Sequence, residues 1–328
     1  MRIPLPAATQ WELVRDALPQ LVPAWDELLW QAAQGEVVYN DDTTMKVLAL
    51  TAEQRRAAAA DEETDGRTGV FTSGIVATGE GHRIALFFTG RQHAGENLAD
   101  LLARRAADLA PPIQMCDALA ANTAGDFDTI LAACLAHARR RFVDVVDHFP
   151  AEVQHVLDAV REVYRTDAQA RKDALSPEER LRLHQTTSGP LLAGLETWLR
   201  QQLDDHLVEP NSGLGTAIAF MLKHWTKLTL FLRVPGAPLD NNICERALKK
   251  AILHRKNALF YKTLAGARVG DVFMSLIHTA ELNGIAPFAY LVALQRHHQT
   301  VARDPSAWLP WTYEATLGEL RARASPSR

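Results

Sequence analysis

The chain has 328 residues, 47% of them apolar, and a net charge of -4, which allows a buried core of one large or two ordinary domains and excludes a uniformly cationic nucleic-acid binder. Its three widely spaced cysteines, Cys116, Cys134 and Cys244, make no disulfide framework and fit free thiols in a reducing, cytoplasmic setting. The start MRIPLPAATQW lacks a signal-peptide apolar core and runs such as IALFF are too short to span a bilayer, so no membrane partner is expected.

Residues 1–34 place Leu13, Leu18, Leu21, Trp25, Leu28 and Leu29 at roughly helical spacing around Pro19 and Pro23, which predicts a docking pair of helices. The segments 36–40, 44–50, 69–78 and 82–89 are then short and β-rich, with the charged stretch 53–68 as a break and TGEGH as a hairpin turn. An amphipathic helix is expected over 97–109, and PPIQMC at 111–116 reads as a short buried strand after a proline stop. From about 127 onward nearly everything reads as helix. Ser176, Pro177 and Glu179 form a capping box, and 213–232 is apolar enough to predict an interior helix. These breaks suggest an N-terminal helical segment (1–34), a first α/β part (35–149), a helical block (150–235), a closing part (236–284) and a helical tail (285–328).

Three acidic segments carry the candidate chemistry. In VVYNDDTTMKVL, strand alternation points Val37, Tyr39 and Asp41 one way and Val38, Asn40 and Asp42 the other. A carboxylate at a strand end can overhang the core, although Asp-Asp-Thr is also ordinary turn chemistry. In IQMCDALAANT, Asp117 follows an apolar run where a short parallel strand would end, which is where sites form in open α/β sheets; a helix N-cap is the alternative. In APLDNNICERALKKAILHRKN, Asp240 can cap a helix whose apolar stripe is Cys244, Ala247, Leu248, Ala251 and Ile252, leaving Glu245 off that stripe. Glu245 and Lys249 could form no more than a surface ion pair, worth about 0.3 to 0.5 kcal/mol. However, residues 240–268 hold seven Lys or Arg against two acids, in a chain that is negative overall. Such a patch attracts a phosphate backbone. HARRRF at 137–142 adds Arg139 and Arg140, on either a solvated helix face or a DNA-binding one. Cys134 and His137 have the spacing of half a zinc site but no second pair to complete it.

Acids within local positive charge suggest a magnesium-dependent phosphodiester site. Two carboxylates about 4 Å apart repel by roughly 4 kcal/mol even at an effective dielectric near 20, so convergence calls for a cation or a proton.

The segments YNDDTTMKVL, PIQMCDALAAN, CLAHARRRF, EPNSGLGTAI, GAPLDNNICERALKKAILHRKNALFY, GARVGDVFMSLIHTAELNGIAPFAYL and WLPWTY, in this order, resemble the catalytic region of bacterial transposases of the insertion-sequence-66 (IS66) family, a DDE type. The resemblance implies an α/β fold: an RNase H-like core of mixed sheet and helices, with a large all-helical insertion and a helical C-terminal region. It implies Asp41, Asp117 and Glu245 as catalytic metal ligands for two Mg2+ ions, with Mn2+ as an alternative. Asn242, Arg246, Lys249, Arg255 and Lys256 become DNA-binding or supporting residues, together with Arg139 and Arg140. The implied partners are transposon-end and target DNA, further copies of the chain, and accessory proteins of the element. Full-length relatives also carry an N-terminal DNA-binding part, which this sequence is expected to lack. Strand cleavage and strand transfer is therefore the leading reading, against a non-catalytic DNA-binding or oligomerisation remnant and a metal-dependent nuclease without strand transfer.

Overall fold

The structure is a computed structural model that describes residues 4–51, 53 and 69–324. It is a mixed α/β protein whose chain divides into two compact units. The first comprises residues 1–112, 121–128 and 243–328; the second comprises 113–120 and 129–242.

In the first unit, α1 (Ala7–Ala33) precedes β1 (Val37–Thr44), β2 (Phe71–Gly79) and β3 (His82–Gly90), with β1 and β3 each antiparallel to β2. The expected helix pair over 1–34 is one continuous helix with Pro19 and Pro23 inside it. Pro19 is exposed and Pro23 half-buried, so the carbonyls they leave without a helical donor lie away from the deepest packing. Burial of Leu21, Ala24, Trp25, Leu28, Leu29, Ala32 and Ala33 along one stripe outweighs the two interruptions. The TGEGH turn is the expected hairpin, with Gly79 opposite His82 and both Glu80 (φ 50) and Gly81 (φ 80) in the left-handed region that a two-residue turn requires. The segment 44–50 is not a strand: Val47 makes a single parallel bridge to Tyr261, and residues 48–51 are helical. Most of the predicted charged break, 53–68, lies outside the described residues.

Both faces of these strands are covered, which explains why β2 and β3 read as continuous apolar runs. Val38, Ile75, Ala77, Ile84 and Leu86 pack with α1, with α2 (Ala94–Leu102, shorter than the expected 97–109) and with the C-terminal helices. On the opposite face Tyr39, Val76, Ala85 and Phe87 pack against Cys244, Ala247 and Ala251 of α8 (Asn242–Ala258).

The edge of β3 is closed by side chains of α9 (Leu264–Leu282) and the residue that ends it. Asn283 accepts from Arg83 N (3.2 Å) and donates to Arg83 O (2.7 Å), and Thr279 exchanges hydrogen bonds with Ala85 N and O (3.0 and 3.1 Å). Ser275 accepts from Phe87 N (3.0 Å), and Asp271 accepts from both Thr89 N and Thr89 Oγ1 (2.7 Å each). Four helical residues rise about 6 Å and two strand residues about 6.8 Å, so an i, i+4 polar stripe can keep step with alternate strand residues. The stripe replaces a neighbouring strand and blocks edge-to-edge pairing.

The second unit holds β4 (Ile113–Cys116) and β5 (Ile130–Ala133), paired in parallel, then α3 (Leu135–Val143), α4 (Pro150–Lys172), α5 (Pro177–Asp204) and α6 (Gly213–Lys223). β5 corrects the expectation that strands end before 127; at four residues, followed at once by helix, it carries no period of its own. The predicted interior helix over 213–232 is three pieces: α6, a short α7 (Trp225–Leu228) and a 3-10 turn at Leu230–Leu232. Thr216, Lys223, Thr226 and Lys227 are exposed, so this segment buries one side only. The Ser176 capping box is present, with Glu179 N to Ser176 Oγ at 3.3 Å and Ser176 N to Glu179 Oε2 at 2.9 Å.

α4 and α5 are joined by a buried polar group. Asp167 receives Arg180 Nε at 2.7 Å and Arg171 at 2.6 Å; His184 Nε2 lies 3.4 Å away, and His184 Nδ1 meets Ser188 Oγ at 2.9 Å. Burial pushes the Asp167 carboxyl up, but His184, Arg180 and Arg171 outweigh it and hold its pKa below the ordinary value. A depressed carboxylate contributes stability above its unfolded pKa and loses it as pH falls through the folded one. Asp167→Ala is expected to destabilise the protein by about 3 kcal/mol or more near neutrality. The difference from wild type should shrink in urea melts carried into the acid range; a constant difference would remove Asp167 as the origin.

Candidate active site

The β1–β2 register places Asp41 opposite Gly74 and Asp42 opposite Ser73. Alternation puts Asp41 on the face of Tyr39, the face α8 covers, and Asp42 on the other. Asp42 is committed there: its Oδ2 meets His93 Nδ1 at 2.8 Å, the His93 ring lies 4.2 Å from that of Phe71, and the adjacent Ser73 accepts from Asn97. The two neighbouring acids therefore do different work. Asp42 braces the start of α2, while Asp41, half-buried, lies within β1, three residues before its end, on the face that α8 covers.

Gly74 is what lets α8 come close. A Cβ there would lie 3.0 Å from Leu248 and 3.6 Å from Cys244 Sγ, and the Cys244 thiol donates to Gly74 O at 3.2 Å. Glu245 follows Cys244 in the first turn of α8 and is half-buried, off the apolar stripe as expected. Asp41 therefore lies on the strand face that α8 covers, and Glu245 is carried by α8 beside the stripe that packs there. At the far end of the helix Arg255 donates from Nη1 to Thr43 Oγ1 (3.2 Å), Thr44 Oγ1 (2.9 Å) and Thr44 O. That guanidinium pins α8 to the end of β1, two residues beyond Asp41. Arg246, Lys249 and Lys256 are exposed, and Lys250 pairs with Glu281 of α9 at 2.9 Å.

In the second unit Asp117 directly follows β4, at its carboxyl end, as expected for a parallel strand. Its Oδ1 accepts Leu119 N at 3.1 Å, a local Asx-type turn, so the strand-end reading and the capping reading both have a counterpart. Beside it Cys116 O accepts Cys134 N (3.1 Å), and Cys134 Sγ accepts Asn241 N (3.3 Å). Leu135 N donates to Leu239 O, and Asp240 Oδ1 accepts Asn242 N in an Asx-type turn just ahead of α8, one residue before the cap position predicted for it. The segment before α8 is thereby stitched to the end of β5. Burial pushes the Cys134 thiol up to about 11, so near neutrality it is protonated, an inert thiol suited to this structural hydrogen bond. Arg139 and Arg140 are exposed on α3. The sequence reading did not single out Gly74 or the stitching by Cys134; a glycine inside a strand pattern is the one signal that pointed to the first.

The scaffold is thus mixed α/β, with Asp41 within β1, Asp117 directly after β4, Glu245 in the first turn of α8, and exposed cations on α3 and α8. The model of the transposase IS66 family matches residues 1–269, and the chain belongs to that family. Among proteins of Sinorhizobium fredii (strain NBRC 101917 / NGR234), y4jD is 36% identical over 189 residues, 56% of this chain and 36% of its own length. The match to y4qI is 30% over 315 residues, covering 88% of this chain and 53% of the relative. For y4hP it is 27% over 328 residues, covering 95% and 57%. All three are named only as uncharacterised, and the chain spans from about a third to just over half of their lengths. Among the described residues no helix is long and apolar enough to cross a membrane.

Proposed function

We propose that this chain contains the catalytic region of a DDE-type transposase with an RNase H-like core, which cuts DNA and joins the released end to a target. The observation that carries the reading is that Asp41 lies on the strand face covered by α8, the helix whose first turn bears Glu245, in a chain of a transposase family. Asp117, at the carboxyl end of β4, is the proposed third acid.

The donor type fits magnesium or manganese: carboxylate oxygens on half-buried side chains. When bound, such ions acidify a water nucleophile and offset charge on the phosphate. The chain's own residues do the placing. α8 carries Glu245 in its first turn, Arg255 and Gly74 fix the height of that helix, and Asp42 with His93 braces β1 against α2. Arg246, Lys249, Lys256, Arg139 and Arg140 supply exposed charge for the DNA backbone. Transposon ends, target DNA, further copies of the chain and accessory proteins are the proposed partners. The test is a joining assay, with a duplex ending in a free 3′ hydroxyl and a supercoiled target. Covalent joining that requires a divalent metal is expected; nicking without joining would favour the nuclease reading, and metal-independent binding alone the remnant.

A further inference from the structure

α8 ends in an unusual way. Leu259 N closes the helix on Arg255 O at 2.8 Å, and Leu259 itself has φ 67, the left-handed position that glycine normally occupies after a helix. A leucine there carries backbone strain that glycine would not. Packing returns little of that, because the residue is 65% exposed. Phe260 beside it is 41% exposed and Leu264, just beyond, 44%.

This apolar tip is rigidly mounted. Tyr261 N donates to Lys46 O and Leu48 N to Tyr261 O, each at 2.9 Å, and Ala49 N donates to Lys262 O at 3.1 Å. The Tyr261 ring is buried with Met45, Val47, Leu50 and Ala267 and stacks on His254 at 5.0 Å. Thr263 then caps α9 through Gly266 N. Only Leu259 and Phe260 project between these anchors. Around them Lys46, Lys256 and Lys262 are exposed, and neither 43–51 nor 246–268 contains an acidic residue. A stiff apolar pair in a cationic collar is complementary to nucleic acid whose bases are open to contact: the lysines meet phosphates, while the leucine and phenyl faces meet base faces.

We propose that Leu259 and Phe260 form a wedge that lodges against unpaired or unstacked bases at a DNA end. The proposal rests on DNA being the substrate and adds which state of the DNA is held. It is tested by measuring affinity for two duplexes of one sequence, one blunt and one with terminal mismatches. Wild type is expected to bind the mismatched end about tenfold more tightly, a preference that Phe260→Ala and Leu259→Gly each reduce toward parity. The melting temperature of Leu259→Gly should stay equal or rise, since glycine relieves the left-handed strain. Lys262→Gln should weaken both duplexes alike and lower the salt slope by about one. Equal binding of both duplexes by wild type, or a preference that survives in both wedge variants, overturns the wedge alone. Binding of neither overturns it together with the transposase reading.

Discussion

Asp41→Asn, Asp117→Asn and Glu245→Gln, made singly, are each expected to reduce metal-dependent joining of a pre-cut DNA end about a thousandfold or more. Every 1.36 kcal/mol of lost transition-state stabilisation is tenfold in rate, and metal-borne charge stabilisation is worth several kcal/mol. The folds should survive. In the absence of metal the variants should melt at or slightly above the wild-type temperature, because removing one charge from the proposed three-carboxylate site would relieve repulsion. Asp42→Asn is the internal control: its carboxylate is turned to the opposite face and engaged by His93, so a loss under about tenfold is expected. A collapse of activity in Asp42→Asn matching that of Asp41→Asn would put the chemistry on the α2 face and contradict the arrangement described here.

The stability of the first unit should carry an unusual pH signature from Asp271. Burial raises its pKa to about 7 from the ordinary carboxylate value, against the opposing pull of the Thr89 hydroxyl, the Thr89 amide and Arg268. A raised carboxyl contributes fully below its unfolded pKa, and the contribution fades as pH rises through the folded value. Wild type should therefore lose on the order of a few kcal/mol between about pH 4 and pH 7 from this one group. Asp271→Asn preserves an acceptor for Thr89 N without the charge, and should flatten that part of the profile in denaturant melts. Asp271→Ala should destabilise at every pH, because it strips the edge of β3 of a partner. Identical slopes in wild type and Asp271→Asn would show that Asp271 is not the titrating group.

Much of the frame around the acids was legible before any coordinates. Strand alternation, the TGEGH hairpin, the capping box at Ser176 and the strand ending at Asp117 all follow from short-range periodicity and turn chemistry, and each is present. Where reading failed, long-range packing decided. Prolines at 19 and 23 suggest a break, but a deep apolar stripe carries α1 through both. The stretch 213–232 looks uniformly apolar, yet its few polar residues mark an exposed side and it breaks twice. The spacing Asp271, Ser275, Thr279, Asn283 is visible in the sequence, but on a helix it resembles a solvated stripe, and only the presence of β3's open edge gives it a purpose. Asp41 and Asp42 are equivalent as letters; the register against Gly74 and Ser73 separates them.

The central claim, that Asp41, Asp117 and Glu245 grip one metal centre, is tested most directly by loading the protein with Fe2+ and mapping peptide-bond cleavage after ascorbate and peroxide. The account predicts cuts clustered near residues 41, 117 and 245, suppressed by excess Mg2+ and lost together in each single amide variant. Cuts near one of these positions alone, or an unchanged pattern in Asp117→Asn, would contradict it.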